Sequence, residues 1–197
     1  MLTATDKSST AGASSPETGI VRLWPYVPGV YGRDALYRVW RAMENEGAMP
    51  HAFWDRALHP ETCGDFTSFI RTFEGSATTV LFMVEGPPGH GLIGCLWLSE
   101  IMPNHQAFLS IWMARKFRRF AREASRQAID SAFSMWNFQQ LWAITPWAAA
   151  RNLALHMGFR REALLPAFCR FPEQHYDVHV LRLTREVWNG LNFSQRI

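Results

Sequence analysis

Along the chain the spacing of apolar positions changes period several times, and each change marks an element. "IVRLW", residues 20–24, alternates well enough for a short strand, which Pro25 and Pro28 close. From Tyr31 to Met43 the apolar positions Leu36, Val39, Trp40 and Met43 recur at three- and four-residue steps, the spacing of an amphipathic helix. The same spacing predicts a second helix around Phe53 to Leu58 and a third from Asp65 to Phe73, where Phe66, Phe69, Ile70 and Phe73 share a face. The middle of the chain then reads as strands. "TTVLFMVEG" and "GLIGCLWLSEI" are rich in β-branched and large apolar residues, and "GPPGHG", Gly86 to Gly91, supplies hairpin turn chemistry between them. "MPN" turns the chain again, into a third strand "HQAFLSIWMA", so these three predict a consecutive antiparallel sheet.

From Phe117 the period is helical once more, with Phe117, Phe120, Ala121, Ala124, Ala128, Ala132, Phe133 and Trp136 on one face. "LWAIT", Leu141 to Thr145, reads as a short buried strand. Pro146 opens a helix running to Met157, with Gly158 placed as its C-terminal cap. Two further strands follow, around Phe159 to Phe168 and Tyr176 to Leu183. This order predicts an α/β fold whose mixed, mostly antiparallel central sheet is flanked by helices. The helix between the third and fourth middle strands should complete a right-handed parallel unit. Residues 1–18 are poor in core formers and read as a disordered tail, leaving 19–197 as a single domain of ordinary size.

Composition narrows the classes. With 48% hydrophobic and 19% charged residues, the chain is not disordered as a whole. The N-terminus lacks the basic and apolar regions of a secretory signal, and no apolar run reaches membrane-span length, which predicts a cytoplasmic protein. Cys63, Cys95 and Cys169 are odd in number and widely spaced, the pattern of buried thiols rather than of a disulfide framework or a paired-ligand zinc site. Nine Trp and fourteen Phe exceed what a core of this size needs, so some are expected to line a pocket or an interface. The interface would be that of a homodimer; a monomer is the alternative. The chain has no G-x-S-x-G elbow, Walker loop or H-E-x-x-H helix.

One stretch asks for a ligand. "ARKFRRFAREASRQAID", Ala114 to Asp130, carries Arg115, Lys116, Arg118, Arg119, Arg122 and Arg126 where a strand pattern turns into a helix pattern. A helix start offers unpaired N–H groups and a partial positive charge, so added cations there call for an anion, or for side chains that leave for solvent. The net charge of +3 fits an anionic partner without requiring one. A solvated basic face is the plain alternative. Nucleic-acid binding, with Phe117 and Phe120 as stacking residues, ranks last because helical spacing turns both rings inward.

The junction resembles that of the GCN5-related N-acetyltransferase (GNAT) superfamily, whose loop motif [QR]-x-x-G-x-[GA] cradles the pyrophosphate of acetyl-CoA. "KFRRFAREA" aligns through Glu123 and Ala124, as in the branch that acetylates protein N-termini; Lys116 takes the Gln/Arg position, Arg119 the first Gly position and Ala121 the final small residue. "AAARNLALHMGFRREALLPAF" is similar to the family's later helix with its closing Gly-Phe, here Gly158 and Phe159, followed by Glu162. "DVHVLRLTREVW" is similar to the last strand and closing segment of that branch, and Gly94 stands where the family has a strand glycine.

The resemblance implies acetyl-CoA as cosubstrate and an amine acceptor, whether a protein N-terminus, a side chain or a small amine. It implies a cofactor site at Ile111, Trp112, Met113, Lys116, Arg118, Arg119, Phe120, Ala121 and Arg122. Glu100 and His105, at adjoining strand ends, are candidates for the base. The family's acid, a Tyr four residues before the Gly of Gly-Phe, falls on Ala154, and Tyr176 or His156 are candidates to replace it; the helix-start Asn position falls on Trp147. Because Arg119 and Ala154 depart from the family pattern, the second expectation is a catalytically inactive GNAT-like binding or assembly protein, with or without bound CoA.

Overall fold

A computed structural model of the chain describes residues 21–28, 33–52, 65–171 and 174–191. The tail and the helix expected around Phe53 to Leu58 lie outside these residues. The strands are β1 (Arg22–Pro25), β2 (Val80–Glu85), β3 (Leu92–Met102), β4 (Gln106–Met113), β5 (Gln140–Thr145), β6 (Arg160–Arg170) and β7 (His175–Thr184). The helices are α1 (Arg33–Asn45), α2 (Met49–Ala52), α3 (Phe66–Glu74), α4 (Ala121–Met135), α5 (Ala148–His156) and α6 (Arg185–Gly190). The seven strands form one sheet in the order β1-β2-β3-β4-β5-β7-β6, antiparallel throughout except for the parallel pair β4–β5 that α4 connects. The mixed, mostly antiparallel sheet read from the sequence is the one observed.

Local chemistry accounts for the elements. The apolar stripe of α1 delivers Leu36, Val39, Trp40 and Met43 to the core, as its spacing predicted. Asp65 caps α3 by accepting from Ser68 N–H at 2.9 Å. Thr184 caps α6, a helix within the segment read only as a closing one, by accepting from Val187 N–H at 3.3 Å. The largest difference lies at the arginine cluster. Residues Arg115–Phe120 form a 3-10 helix, and the α-helix begins only at Ala121. Neither Ala114 nor Phe120 supplies a side-chain cap, and Phe117, 8% exposed, is the anchor that pins the tighter turn to the core.

Pairing registers assign the strands' side chains to two faces. Cys95, Trp97 and Ser99 of β3 stand opposite Trp112, Ser110 and Phe108 of β4, and Phe108 stands opposite Trp142 of β5. Phe73 of α3 packs edge-on against Trp97, with ring centroids 6.1 Å apart, so this face is the one that α1 and α3 cover. On the other face Phe82 meets Trp136, just past the end of α4, at 5.8 Å. Ala107, Leu141, Leu181 and Leu183, all fully buried, belong to that second face with α4 and α5. No helix among the described residues is long and apolar enough to cross a membrane.

Candidate active site

β4 and β5 pair only through Gln106↔Gln140, Ala107↔Leu141 and Phe108↔Trp142. Beyond that rung the two strands carry on, β4 to Met113 and β5 to Thr145, without a ladder between them. Which backbone groups this leaves facing the gap follows from the flanking bonds. Ala114 N–H donates to Ile93 O at 3.0 Å, so Ala114, Trp112 and Ser110 direct their backbone groups at β3. The alternate residues Leu109, Ile111 and Met113 therefore direct theirs at the gap. His105 O, of the same parity, accepts from Gln139 N–H at 2.8 Å on the β5 side, in agreement. On β5, Arg185 N–H donates to Gln139 O at 2.9 Å, which turns Ala143 and Thr145 towards β7 and leaves Ile144 facing the gap.

The gap is a slot of about 90 Å³. Its lining includes Trp97, Ser110 and Ile144 from the α1/α3 face and Ile111, Ser125, Ala154 and Phe159 from the α4/α5 face, so it perforates the sheet. Among the described residues, only hydroxyls, indoles and backbone groups break its apolar wall. Ala154 is 9% exposed and Ser125 3%. Thr145 closes the strand into α5, accepting from Trp147 N–H at 3.0 Å.

A wider cavity of about 560 Å³ adjoins the slot through shared Ala52, Ile111, Trp147, Ala150 and Leu153. Its wall carries Arg115, Arg118, Arg119 and Arg122, with Trp112, Met113 and Ala121 between them. Ala149 and Ala150, in the first turn of α5, also line it, and that helix start has no side-chain cap. Backbone N–H groups of the 3-10 helix are mostly engaged within it: Phe117 N–H donates to Ala114 O at 2.7 Å, and Ala121 N–H to Arg118 O. Arg115 N–H is taken by the carboxylate of Glu46, with both oxygens in range at 2.9 and 3.1 Å. An anion here therefore meets guanidinium groups first and strand-end amides second.

The candidate residues divide by position. Ile111, Trp112, Met113, Arg118, Arg119, Ala121 and Arg122 come together on the cavity wall. Lys116 and Phe120 do not line it. The Lys116 ammonium lies 4.8 Å from the centre of the Phe117 ring, and Phe120 packs against the core while the Arg119 guanidinium covers its ring at 4.8 Å. Glu100 and His105 stand at the β3–β4 hairpin end, where Glu100 has a φ of 50° at a register shift. From His105 to Ile111 is six strand residues, roughly 20 Å, and neither hairpin residue lines the slot. Tyr176 contacts the rim: its ring centroid is 5.2 Å from that of Trp147 and 5.6 Å from that of Phe171. His156 is exposed at the end of α5, its Nδ1 2.7 Å from Asn152 O. Glu46, Arg115, Trp147, Ala149, Ala150 and Leu153 line the cavity without being among the cofactor residues expected from the sequence; the basic run pointed to Arg115, the family resemblance pointed to α5 through Ala154 and Trp147, and nothing local pointed to Glu46.

His179 is a second titratable group near the gap, opposite Thr145 on the α4/α5 face. Its Nε2 is 3.3 Å from Arg151 Nη1, and its Nδ1 is buried without a partner among the described residues. Burial first, then the charges of Arg151 and Arg161, lower its pKa and favour the neutral ring.

No protein-family model matches the sequence, and no curated protein matches it. Solved structures do. Spermidine N-acetyltransferase from Vibrio cholerae, in complex with CoA and spermine, superposes with a TM-score of 0.70 at 18% identity, over 87% of this chain and 99% of that one. A GCN5-related N-acetyltransferase from Brucella melitensis gives 0.70 at 19% identity, over 90% of this chain and 81% of its own. A probable acetyltransferase gives 0.60 at 15% identity over 79% and 90%. At such identities the likeness speaks for architecture, and the branch that acetylates protein N-termini is not singled out by it. The chain has the fold of the GNAT acetyltransferases, with a parted β4–β5 pair and an arginine-lined cavity beside it.

Proposed function

We propose that this protein is an acetyl-CoA-dependent N-acetyltransferase acting on a primary amine. The observation that carries the reading is the joining of a cationic cavity to a narrow slot through the sheet. A CoA thioester has a matching two-part form, with a polyanionic nucleotide end and a slender arm containing amides. Arg115, Arg118, Arg119 and Arg122 hold the phosphates by side chain, since guanidinium groups pair with phosphate oxygens bidentately. The arm lies along β4, whose outward backbone groups at Leu109, Ile111 and Met113 replace the missing β5 ladder.

Bound there, the thioester supplies an acyl group open to attack by an amine. Ile111 N–H, fixed in a strand and directed into the slot, donates to the acyl oxygen as charge develops on it. With Ala154 in place of a phenol, Ser125 offers a hydroxyl within the slot to the departing sulfur, while Tyr176 packs on Trp147 outside the slot lining. Any proton passing through Glu100 or His105 crosses solvent to reach the hairpin end.

Isothermal titration of acetyl-CoA and CoA, followed by acetyl transfer to a panel of amines, tests the reading. Saturable one-to-one binding with turnover is expected. Absence of binding at millimolar ligand sinks it, and tight binding with no turnover on any amine selects the inactive CoA-holding protein instead.

A further inference from the structure

We infer that the acceptor is a weakly basic aromatic amine, carried on the Phe108–Trp142 ring pair one rung before the slot. The inference rests on the acetyltransferase reading above and names the acceptor class for that site. Phe108 and Trp142 form the last paired rung before β4 and β5 part, and both point to the α1/α3 face. Their centroids are 6.5 Å apart and their planes 29° off parallel, and both rings are half-buried. Trp142 is held from beneath the rung by Nε1–H donating to Gln106 Oε1 at 3.1 Å, an oxygen that Gln140 also reaches at 2.9 Å. The next rung inward is Ser110 and Ile144, which line the slot itself. A flat ring laid on this ledge lies one rung from Ser110 and beside the strand whose Ile111 backbone faces the gap.

Charge on the same face points the same way. Arg182 stands opposite Trp142 with its guanidinium 5.7 Å from the ring centre, and Arg160 stands opposite Arg182. The neighbouring carboxylate, Glu162, is held by Arg182 at 2.8 Å. A polycation brought to this ledge meets guanidinium groups and a neutralised carboxylate. An uncharged ring meets aromatic carbon, where apolar and edge contacts contribute.

Proton chemistry agrees. Among the described residues, the slot lining contains no carboxylate and no imidazole. An aliphatic amine is an ammonium ion at neutral pH and must lose a proton before its nitrogen can attack. An aromatic amine is already neutral there, because its conjugate acid is far stronger. Its nitrogen lone pair forms the N–C bond, the C–S bond breaks with its electron pair left on sulfur, and the proton shed by nitrogen ends on that sulfur through solvent. The products are an anilide and a thiol.

The test compares p-toluidine, benzylamine and spermidine as acceptors at pH 7.5, alongside calorimetry of acetyl-CoA. The expected result is a kcat/KM for p-toluidine at least tenfold above the other two. Trp142→Ala should raise the KM for p-toluidine by about 2- to 13-fold, the worth of one aromatic pair, while Trp142→Phe restores it and acetyl-CoA affinity stays constant in both. Preference for benzylamine or spermidine, or indifference to Trp142→Ala in a folded variant that binds acetyl-CoA, overturns the inference and leaves the acetyltransferase reading standing. Failure of the wild-type protein to bind acetyl-CoA removes both.

Discussion

Glu46 is the one carboxylate among the described residues lining the arginine cavity, and it sits on the first free N–H of the helix junction. There it satisfies a backbone donor, yet it also places negative charge where a pyrophosphate is proposed to bind. The two effects separate in Glu46→Gln, which keeps an acceptor oxygen for Arg115 N–H and removes the charge. CoA affinity should rise by two- to tenfold, on the order of 1 kcal/mol at partly screened separations. Calorimetry at two ionic strengths checks it, since a Coulombic gain must shrink as salt rises. Gly94 makes a second argument from a single residue. A Cβ at that position would lie 2.5 Å from both Met113 Sδ and Trp112 O, and one of those atoms is backbone of the strand that walls the slot. Gly94→Ala should destabilise the fold by about 1–3 kcal/mol, as overpacking does, and push β4 towards the gap. Urea unfolding reads the first effect and acetyl-CoA titration the second.

At the scale of elements, the end of β1 is tied to α3 and α1 through one titrating group. Tyr26 Oη donates to Glu74 Oε1 at 2.8 Å, and Glu74 also takes Arg33 at 3.3 Å. Burial, followed by the bond and charge of Glu74, raises the Tyr26 pKa from 10.0 to about 12. The folded chain therefore keeps a proton that the unfolded chain releases between those values. The stabilisation is complete below pH 10 and falls as pH rises towards 12; Tyr26→Phe should flatten that alkaline limb in pH-dependent unfolding. The arginine-bearing turn illustrates what was legible in the pattern and what was not. A strand-to-helix junction rich in cations could be read directly, because it is local in sequence, whereas the backbone of Ile111 to Met113 enters only through what the family resemblance implies. That the first six residues coil as a 3-10 helix could not, since Phe117 has the same apolar spacing in either helix. Lys116 and Phe120 were placed by motif position, but a tighter turn rotates them onto the Phe117 ring and the core. Arg118 and Arg122 line the cavity, as the motif position implies. Their double replacement by Glu should weaken CoA binding at least tenfold and flatten its salt dependence, while Arg119→Gly should lose far less, because Arg119 also rests on Phe120.

Across the whole molecule, the site exists because pairing stops. The strands could be read from apolar runs and turn residues local to each, but the point at which β4 and β5 part is set by everything that packs between their ends: Thr145 turning the chain into α5, Gly94 admitting Met113, and Glu46 reaching across 69 residues to Arg115. No local pattern encodes such a distance, which is why Glu46 is not legible in the sequence and α5 enters the site there only through the family resemblance. A ligand that bridges the parted strands should therefore stabilise the molecule globally. Acetyl-CoA at a hundredfold excess over its Kd would add about 2.7 kcal/mol, and for a chain of this size each kcal/mol raises Tm by roughly 2–4 °C. A rise of about 5–10 °C is expected from these two figures together. Inorganic pyrophosphate is expected to occupy the arginine cavity alone and leave the slot unbridged, so at equal occupancy it should shield charge without joining β4 to α5. Hydrogen exchange distinguishes the two: acetyl-CoA should protect the amides of Leu109, Ile111 and Met113, and pyrophosphate should not. Equal protection by both ligands would separate the slot from the cavity and place the arm of the thioester elsewhere.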